Sequence, residues 1–473
     1  MKKLLLVLAF ALTIASAPGA AAKGVAGRLD ATFGKGGKAT VAFPAESASN
    51  VGVKYEVPFQ FAPGHLQMAA APDGKIVIAG STQLVRLLAN GKLDPSFGNG
   101  GVVTVERPPG QTFLLADVAV DPQGRVLLAG SVRPQPAAST PDPLISSAMV
   151  RRYGADGSID QSFGSQGTVI TAFGILAPQI GPNRYTAPSV GLRSMVVDSQ
   201  GRPILTGGSV SEVVSCSGGP EHAVNTAFVA RLTDSGAPDP SFGDGGLRQI
   251  ADFGSFAQGH LFPTGNLLAV GSPKFSCTGN GGPRVVLTGL DTAGNLVPGF
   301  GFAGFRSVNF RSAPVVALAP SGKILLLGSK QNAGKHKAQQ MVMRLLSDGA
   351  KDPGFGRIGY INVIFPRSAG LAAIGSDAKE RILLAGHASR KLPKGNGLRR
   401  SSFLLGRLKP KGTFDRSFGR RGSVKTGFGG PADSFATQVL VDRRGRILVG
   451  GVVSTPRLST GGGFAVARYL PGR

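Results

Sequence analysis

Tryptophan is absent from this 473-residue chain, cysteine occurs only twice, and 26 acidic residues stand against 52 lysines and arginines. Two cysteines cannot staple a chain of this length, so a disulfide-rich scaffold is excluded. The missing Trp removes the side chain on which sugar rings commonly stack, leaving Tyr55, Tyr185 and Phe59 as substitutes in long connections. Helical periodicity is not evident beyond the opening residues, and no later segment is apolar for long enough to cross a bilayer. The sequence has no G-x-S-x-G elbow, no H-E-x-x-H pair and no calcium-binding D-x-[DN]-x-[DN]-G loop with a downstream Glu. No cofactor and no catalytic constellation are expected. His65, His222, His260, His336 and His387 fall in or beside long connections without ligand-pair spacing, so no metal site is expected either.

The first residues do carry a signal. Lys2 and Lys3 precede an apolar run from Leu4 to Ala17, and Ala20, Ala21 and Ala22 precede Lys23. This is the pattern of a secretory signal peptide cut near Ala22, which makes 1–22 the signal and 23–473 a single domain, secreted and extracytoplasmic. The formal charge of +26 favours anionic company: cell-wall or envelope polyanions, acidic polysaccharide or extracellular nucleic acid. An intracellular nucleic-acid target does not fit export.

Glycine is abundant, at 71 residues, and punctuates short β-branched runs. Three elements recur in order. One is a strand, turn and strand, as in VAVDPQGRVLLAGS; the second carries an Arg before a turn, as in AFVARLTDSGAPD; the third is a Phe-Gly string, as in DPSFGDGG. The Phe-Gly string occurs seven times, at Phe33, Phe97, Phe163, Phe242, Phe300, Phe355 and Phe418. Each unit reads as four antiparallel strands, A to D, that cannot bury both faces alone and must stack on neighbours. The expectation is an all-β, seven-bladed propeller of four-stranded blades, with strand A at the channel and strand D at the rim. The last unit supplies strands A to C and stops, while the mature N-terminus starts with the missing strand D. Pairing the two closes the ring and removes an exposed sheet edge.

Eight residues separate the Arg from the Asp of the Phe-Gly string in Arg86/Asp94, Arg152/Asp160, Arg231/Asp239, Arg344/Asp352 and Arg407/Asp415. The unit with Val297 in place of Asp has Gly289 in place of Arg. Joint loss predicts that the two groups form a partly buried ion pair, and closure predicts that Arg468 meets Asp30. The Phe side chains are expected in the core, each contributing roughly 1.5–3 kcal/mol by burial, with the following Gly at positive φ.

These three elements resemble the delta-60 repeat proteins of bacteria, whose units read approximately VALQPDGKIVVAGS, FALARYNADGSLD and SFGxxG. The resemblance spans nearly all of the mature chain. It implies a β-propeller, often exported, with no established activity. VPGFGFAG departs most from the pattern, and Glu380 stands where the turn Gly usually sits.

In such a blade the A–B and C–D turns share one face of the ring, and the B–C and D–A connections share the other. The A–B and C–D turns are short and repetitive; the irregular material lies at 44–64, 130–147, 173–190, 209–226 and 387–402. Binding on a rigid scaffold usually sits in such loops. Two of them are basic: one carries Lys330, Lys335 and Lys337, the other Arg390, Lys391, Lys394, Arg399 and Arg400. They belong to adjacent blades and together make a patch suited to phosphate or carboxylate groups; the plain alternative is a solvated loop pair. Cys216 and Cys277 follow strand B of neighbouring blades, where export would favour a disulfide worth roughly 4 kcal/mol. The function expected is a monomeric, non-catalytic binding or scaffold protein for an anionic or protein partner. The alternative is a secreted polysaccharide lyase or hydrolase built on the same scaffold.

Overall fold

A computed structural model describes residues 26–43, 66–134, 146–175, 189–215, 221–251, 253–273, 284–310, 314–330, 339–365, 369–391, 399–429, 433–454 and 463–472. The opening segment 1–25, Cys216, Cys277, Lys335, Lys337 and Lys394 lie outside them, as do His65, His336, Tyr55, Phe59 and Tyr185. The described chain is all β, in seven four-stranded antiparallel sheets. No helix among the described residues is long and apolar enough to cross a membrane.

Blade 2 shows the unit: strands Gln111–Val120, Val126–Pro134, Ser147–Tyr153 and Thr168–Thr171 pair in sequence order. Strand B is apolar throughout its first half because both its faces are covered: Val126, Leu127, Leu128 and Ala129 are fully buried. Blades 1 and 3–6 repeat this at 67–104, 190–250, 253–309, 315–362 and 369–426. In blade 7, strands Asp433–Val441, Ile447–Ser454 and Gly463–Tyr469 take their fourth partner from the other end of the chain: Lys38–Ala42 pairs antiparallel with Gly463–Tyr469, Lys38 opposite Ala467 and Ala42 opposite Gly463. Shared cores join neighbouring blades, and one of them packs Phe33, Met68, Ile76 and Ile78 against Leu448, Phe464 and Val466.

Several stretches expected to be loops are strands. Blade 3 extends strands B and C to Pro203–Ser215 and Glu221–Arg231, with Val213 opposite Ala223. In blade 6, Ile382–Lys391 and Arg399–Leu408 pair along their length, so Arg390, Lys391, Arg399 and Arg400 belong to a β-hairpin arm and not to an irregular loop. The Ser-, Lys- and Gly-rich composition suggested a loop; cross-strand pairing with the apolar halves of the same strands overrides that local preference.

Candidate functional site

The A–B/C–D face is built on one repeated joint. In all seven units the Phe of the Phe-Gly string is buried and the Gly after it has positive φ, between 51° and 59°. That conformation turns the Gly amide toward the next blade, where it donates to a C–D turn carbonyl: Gly98 to Asp156, Gly164 to Ser235, Gly243 to Ala293, Gly301 to Asp348. Gly356 to Lys411, Gly419 to Ala26 and Gly34 to Asn90 complete the circle. A side chain at Gly98 would meet the Val102 carbonyl oxygen at 2.3 Å, so the position requires glycine.

Over each buried Phe, except in blade 4, lies the Arg of strand C. Arg86 Nε donates to Asp94 Oδ2 at 2.7 Å, Arg152 to Asp160 at 2.7 Å, Arg231 to Asp239 at 2.8 Å and Arg344 to Asp352 at 2.8 Å. Arg407 to Asp415 and Arg468 to Asp30 follow, both at 2.9 Å. The guanidinium carbons sit 4.3–4.8 Å from the ring centroids, within cation–π range. Each Arg also donates to a carbonyl of the next blade, such as Arg86 to Ala155 and Arg468 to Ala89. Desolvation is tolerated because carboxylate, ring and carbonyl share the charge. Burial pushes the Asp94 carboxyl up, but Ser96, Lys75 and Arg86 outweigh it and hold the group down at about 2. In blade 4, where Gly289 and Val297 replace the pair, the Phe300 ring moves into the space: a Cβ on Gly289 would lie 2.6 Å from it.

A second set of pairs went unread in the sequence, although D-x-x-x-R recurs in DPQGR, DSQGR, DAKER and DRRGR. In these A–B turns Asp121, Asp198, Asp377 and Asp442 each accept from the Arg four residues on, at 2.5–2.8 Å. Glu380, at φ 59° in place of the turn Gly, caps the neighbouring turn by accepting from the Ser321 amide and hydroxyl. These networks hold blades together and are structural.

Strand A of every blade lines a central cavity of about 520 Å³. One register position passes hydrogen bonds from blade to blade: Gln438 donates to Gln67 at 2.7 Å, Gln67 to the Ala116 carbonyl, and Ser194 and the Met195 amide to Asp117. Gln258 clasps blade 5 through the Pro314 carbonyl and Val316 amide. Val315 and Ala373 hold this position in blades 5 and 6; there Gln340 of strand C bonds both backbone groups of Leu371 instead. Burial raises the Asp117 carboxyl to about 6 despite three donors, and lowers His260 to about 4. His260 thus lines the channel on strand Phe253–Leu261 rather than lying in or beside a long connection, and its Nε2 has no hydrogen-bond partner among the described residues. His387 packs edge-on against Phe435. No cluster of metal-ligating groups occurs among the described residues.

Of the basic residues expected from the sequence, Lys330, Arg390, Lys391, Arg399 and Arg400 are described, and their strand ends lie at the opposite end of the ring from the Phe-Gly joints. Lys330 ends strand B of blade 5, Ile324–Lys330. In blade 6, Arg390 is directly opposite Arg400 and Lys391 directly opposite Arg399, with the Arg390 side chain exposed and that of Arg400 half-buried.

The fold and its joints define a seven-bladed β-propeller. A family described as "Domain of unknown function (DUF5122) beta-propeller" matches residues 71–97, from the A–B turn of blade 1 to its buried Phe. No curated protein matches the chain. Among solved structures, the polysaccharide lyase Uly1 is similar at 9% identity over 92% of this chain and 99% of that one, with a TM-score of 0.46. A protein of unknown function from Bacteroides caccae is 12% identical over 69% and 90%, with a TM-score of 0.33. The GH93 alpha-L-arabinofuranosidase of Fusarium graminearum, in complex with arabinobiose, is 11% identical over 76% and 95%, with a TM-score of 0.35.

Proposed function

We propose that this chain is an exported delta-60-type propeller that binds an anionic polymer at the B–C end of blades 5 and 6, without catalysing a reaction. The observation that supports it is the blade 6 hairpin, where Arg390 faces Arg400 and Lys391 faces Arg399. Like charges directly opposite on an antiparallel pair destabilise it. A sequence that keeps Arg390 directly opposite Arg400 is relieved when an anion neutralises the pair. Lys330 on the next blade extends the positive end of the ring, within a chain of net charge +26.

Titration with heparin, a sulfated and carboxylated polysaccharide, tests this reading. The wild type binds with an affinity that falls as salt rises, and Arg390→Ser with Arg400→Ser weakens it about tenfold at low salt. Salt-insensitive binding, or an unchanged variant, would sink the proposal. Release of shortened or unsaturated sugar products would replace it with the lyase or hydrolase reading.

A further inference from the structure

The Phe-Gly face repeats the same turns seven times, yet its charge is not evenly spread. On the A–B and C–D turns of blades 1–4, Asp73, Asp156, Asp234 and Asp244 are exposed, Asp73 beside Lys75 and Asp234 paired with Arg125 and Arg152, and Lys92 is the one exposed cation among the described residues. On blade 6 the same turns expose Lys379, Lys409, Lys411, Arg416, Arg420 and Arg421. On blade 7 they expose Arg28, Lys35, Arg443 and Arg444. No carboxylate is exposed on these two sets of turns among the described residues. Each one there is turned inward: Asp377 to Arg381, Asp415 to Arg407, Asp442 to Arg446, Asp30 to Arg468 and Glu380 to Ser321.

The second residue after the Phe-Gly pair has positive φ in every unit: it is Gly36, Gly100 and Gly245 in three of them and Gln166, Ala303, Ile358 and Arg421 in the others, so the turn accepts varied side chains and in blade 6 it carries an exposed cation. Opposing charge across one face also orients an approaching polyanion toward blades 6 and 7.

We propose that the A–B/C–D face of blades 6 and 7 is a docking surface for an acidic polysaccharide, separate from the B–C end of blades 5 and 6. Charge complementarity names an anionic polymer. The aromatic residues favour one without bases: Phe33 and Phe418 are fully buried beneath Arg468 and Arg407, and Phe414 packs edge-on against Phe365. Single-stranded nucleic acid is usually held by exposed rings on which bases stack, and these turns present none among the described residues.

Heparin binding by the full chain tests the surface. Replacing Arg420, Arg421, Arg443 and Arg444 by Ser is expected to weaken binding at least tenfold and flatten its salt dependence, with the melting temperature kept. The loss should appear equally in the background of Arg390→Ser with Arg400→Ser, which separates this surface from the B–C end. Arg421→Gly alone should weaken binding without lowering the melting temperature, a combination that a purely structural role would not produce. Unchanged heparin affinity in the quadruple variant overturns the proposal. So does duplex DNA displacing heparin at equal charge concentration, which would assign the surface to nucleic acid.

Discussion

Asp117 occupies a position that Gln67, Gln258 and Gln438 fill in other blades, and it is the single carboxylate in that ring of contacts. Burial raises its carboxyl from 3.8 to about 6. The folded state therefore holds a proton that the unfolded chain has already lost, so Asp117 favours folding fully below pH 4 and ceases to do so as pH rises through about 6. Comparison of wild type with Asp117→Asn should show the difference in melting temperature moving against the wild type between pH 4 and pH 7, then levelling. A constant difference across that range would refute the shift. The six ring-covering aspartates act in a separate window: Asp94, held at about 2, stabilises above pH 4 and loses its effect as pH falls toward 2. None of the channel contacts was legible in the sequence, because Gln, Asp and Ser share the position and Val315 and Ala373 break the series. The Arg–Asp pairs were legible because their spacing of eight recurs and because Gly289 and Val297 lose both partners together.

At the scale of the blade, the Phe-Gly joint combines a backbone bond with an Arg bridge, and the blade 4 to blade 5 junction keeps only the first. Gly301 still donates to Asp348, but among the described residues no Arg–Asp pair covers the Phe300 ring, which occupies the space beside Gly289. Protection from exchange reports local opening. In native-state hydrogen exchange the Gly301 amide should exchange faster than its six equivalents, Gly34, Gly98, Gly164, Gly243, Gly356 and Gly419. Equal protection at all seven would show that the Arg bridge adds nothing to the joint. Strand identity and blade count were readable from alternation and turn residues, whereas strand length was not. The stretch from His387 to Ser402 looked irregular because it is polar and charged; where it is described, up to Lys391 and from Arg399, its pairing continues that of apolar residues further down the same strands, such as Ala385 opposite Leu405. The cationic face escaped notice for a different reason, as its members come from four turns scattered between Arg28 and Arg444 and meet only through the ring.

At the scale of the whole molecule, the ring has one C–D turn that is not covalent. In blade 1 that turn is closed by Asp94 donating its amide to the Arg86 carbonyl at 3.0 Å; in blade 7 the same bond runs from Asp30 to Arg468 at 2.8 Å, across the two ends of the chain. Gly27 to Leu470 and Leu470 to Arg28, both at 2.9 Å, add two more backbone bonds, and Arg468 and Asp30 meet beneath them. Geometry is therefore conserved where connectivity is lost, so the folded state should accept a peptide link without rearrangement. The unfolded chain would not be indifferent, because joining its ends removes much of its conformational freedom. For a closed loop of this length the chain-entropy model sets an upper bound of about 6 kcal/mol. A chain with Gly472 joined to Ala26 by a short flexible peptide should therefore unfold at higher denaturant concentration than the linear chain, with an unchanged slope. A midpoint that stays put, or a lower one, would mean that the ends do not meet as this pairing requires, and that blade 7 draws its fourth strand from elsewhere.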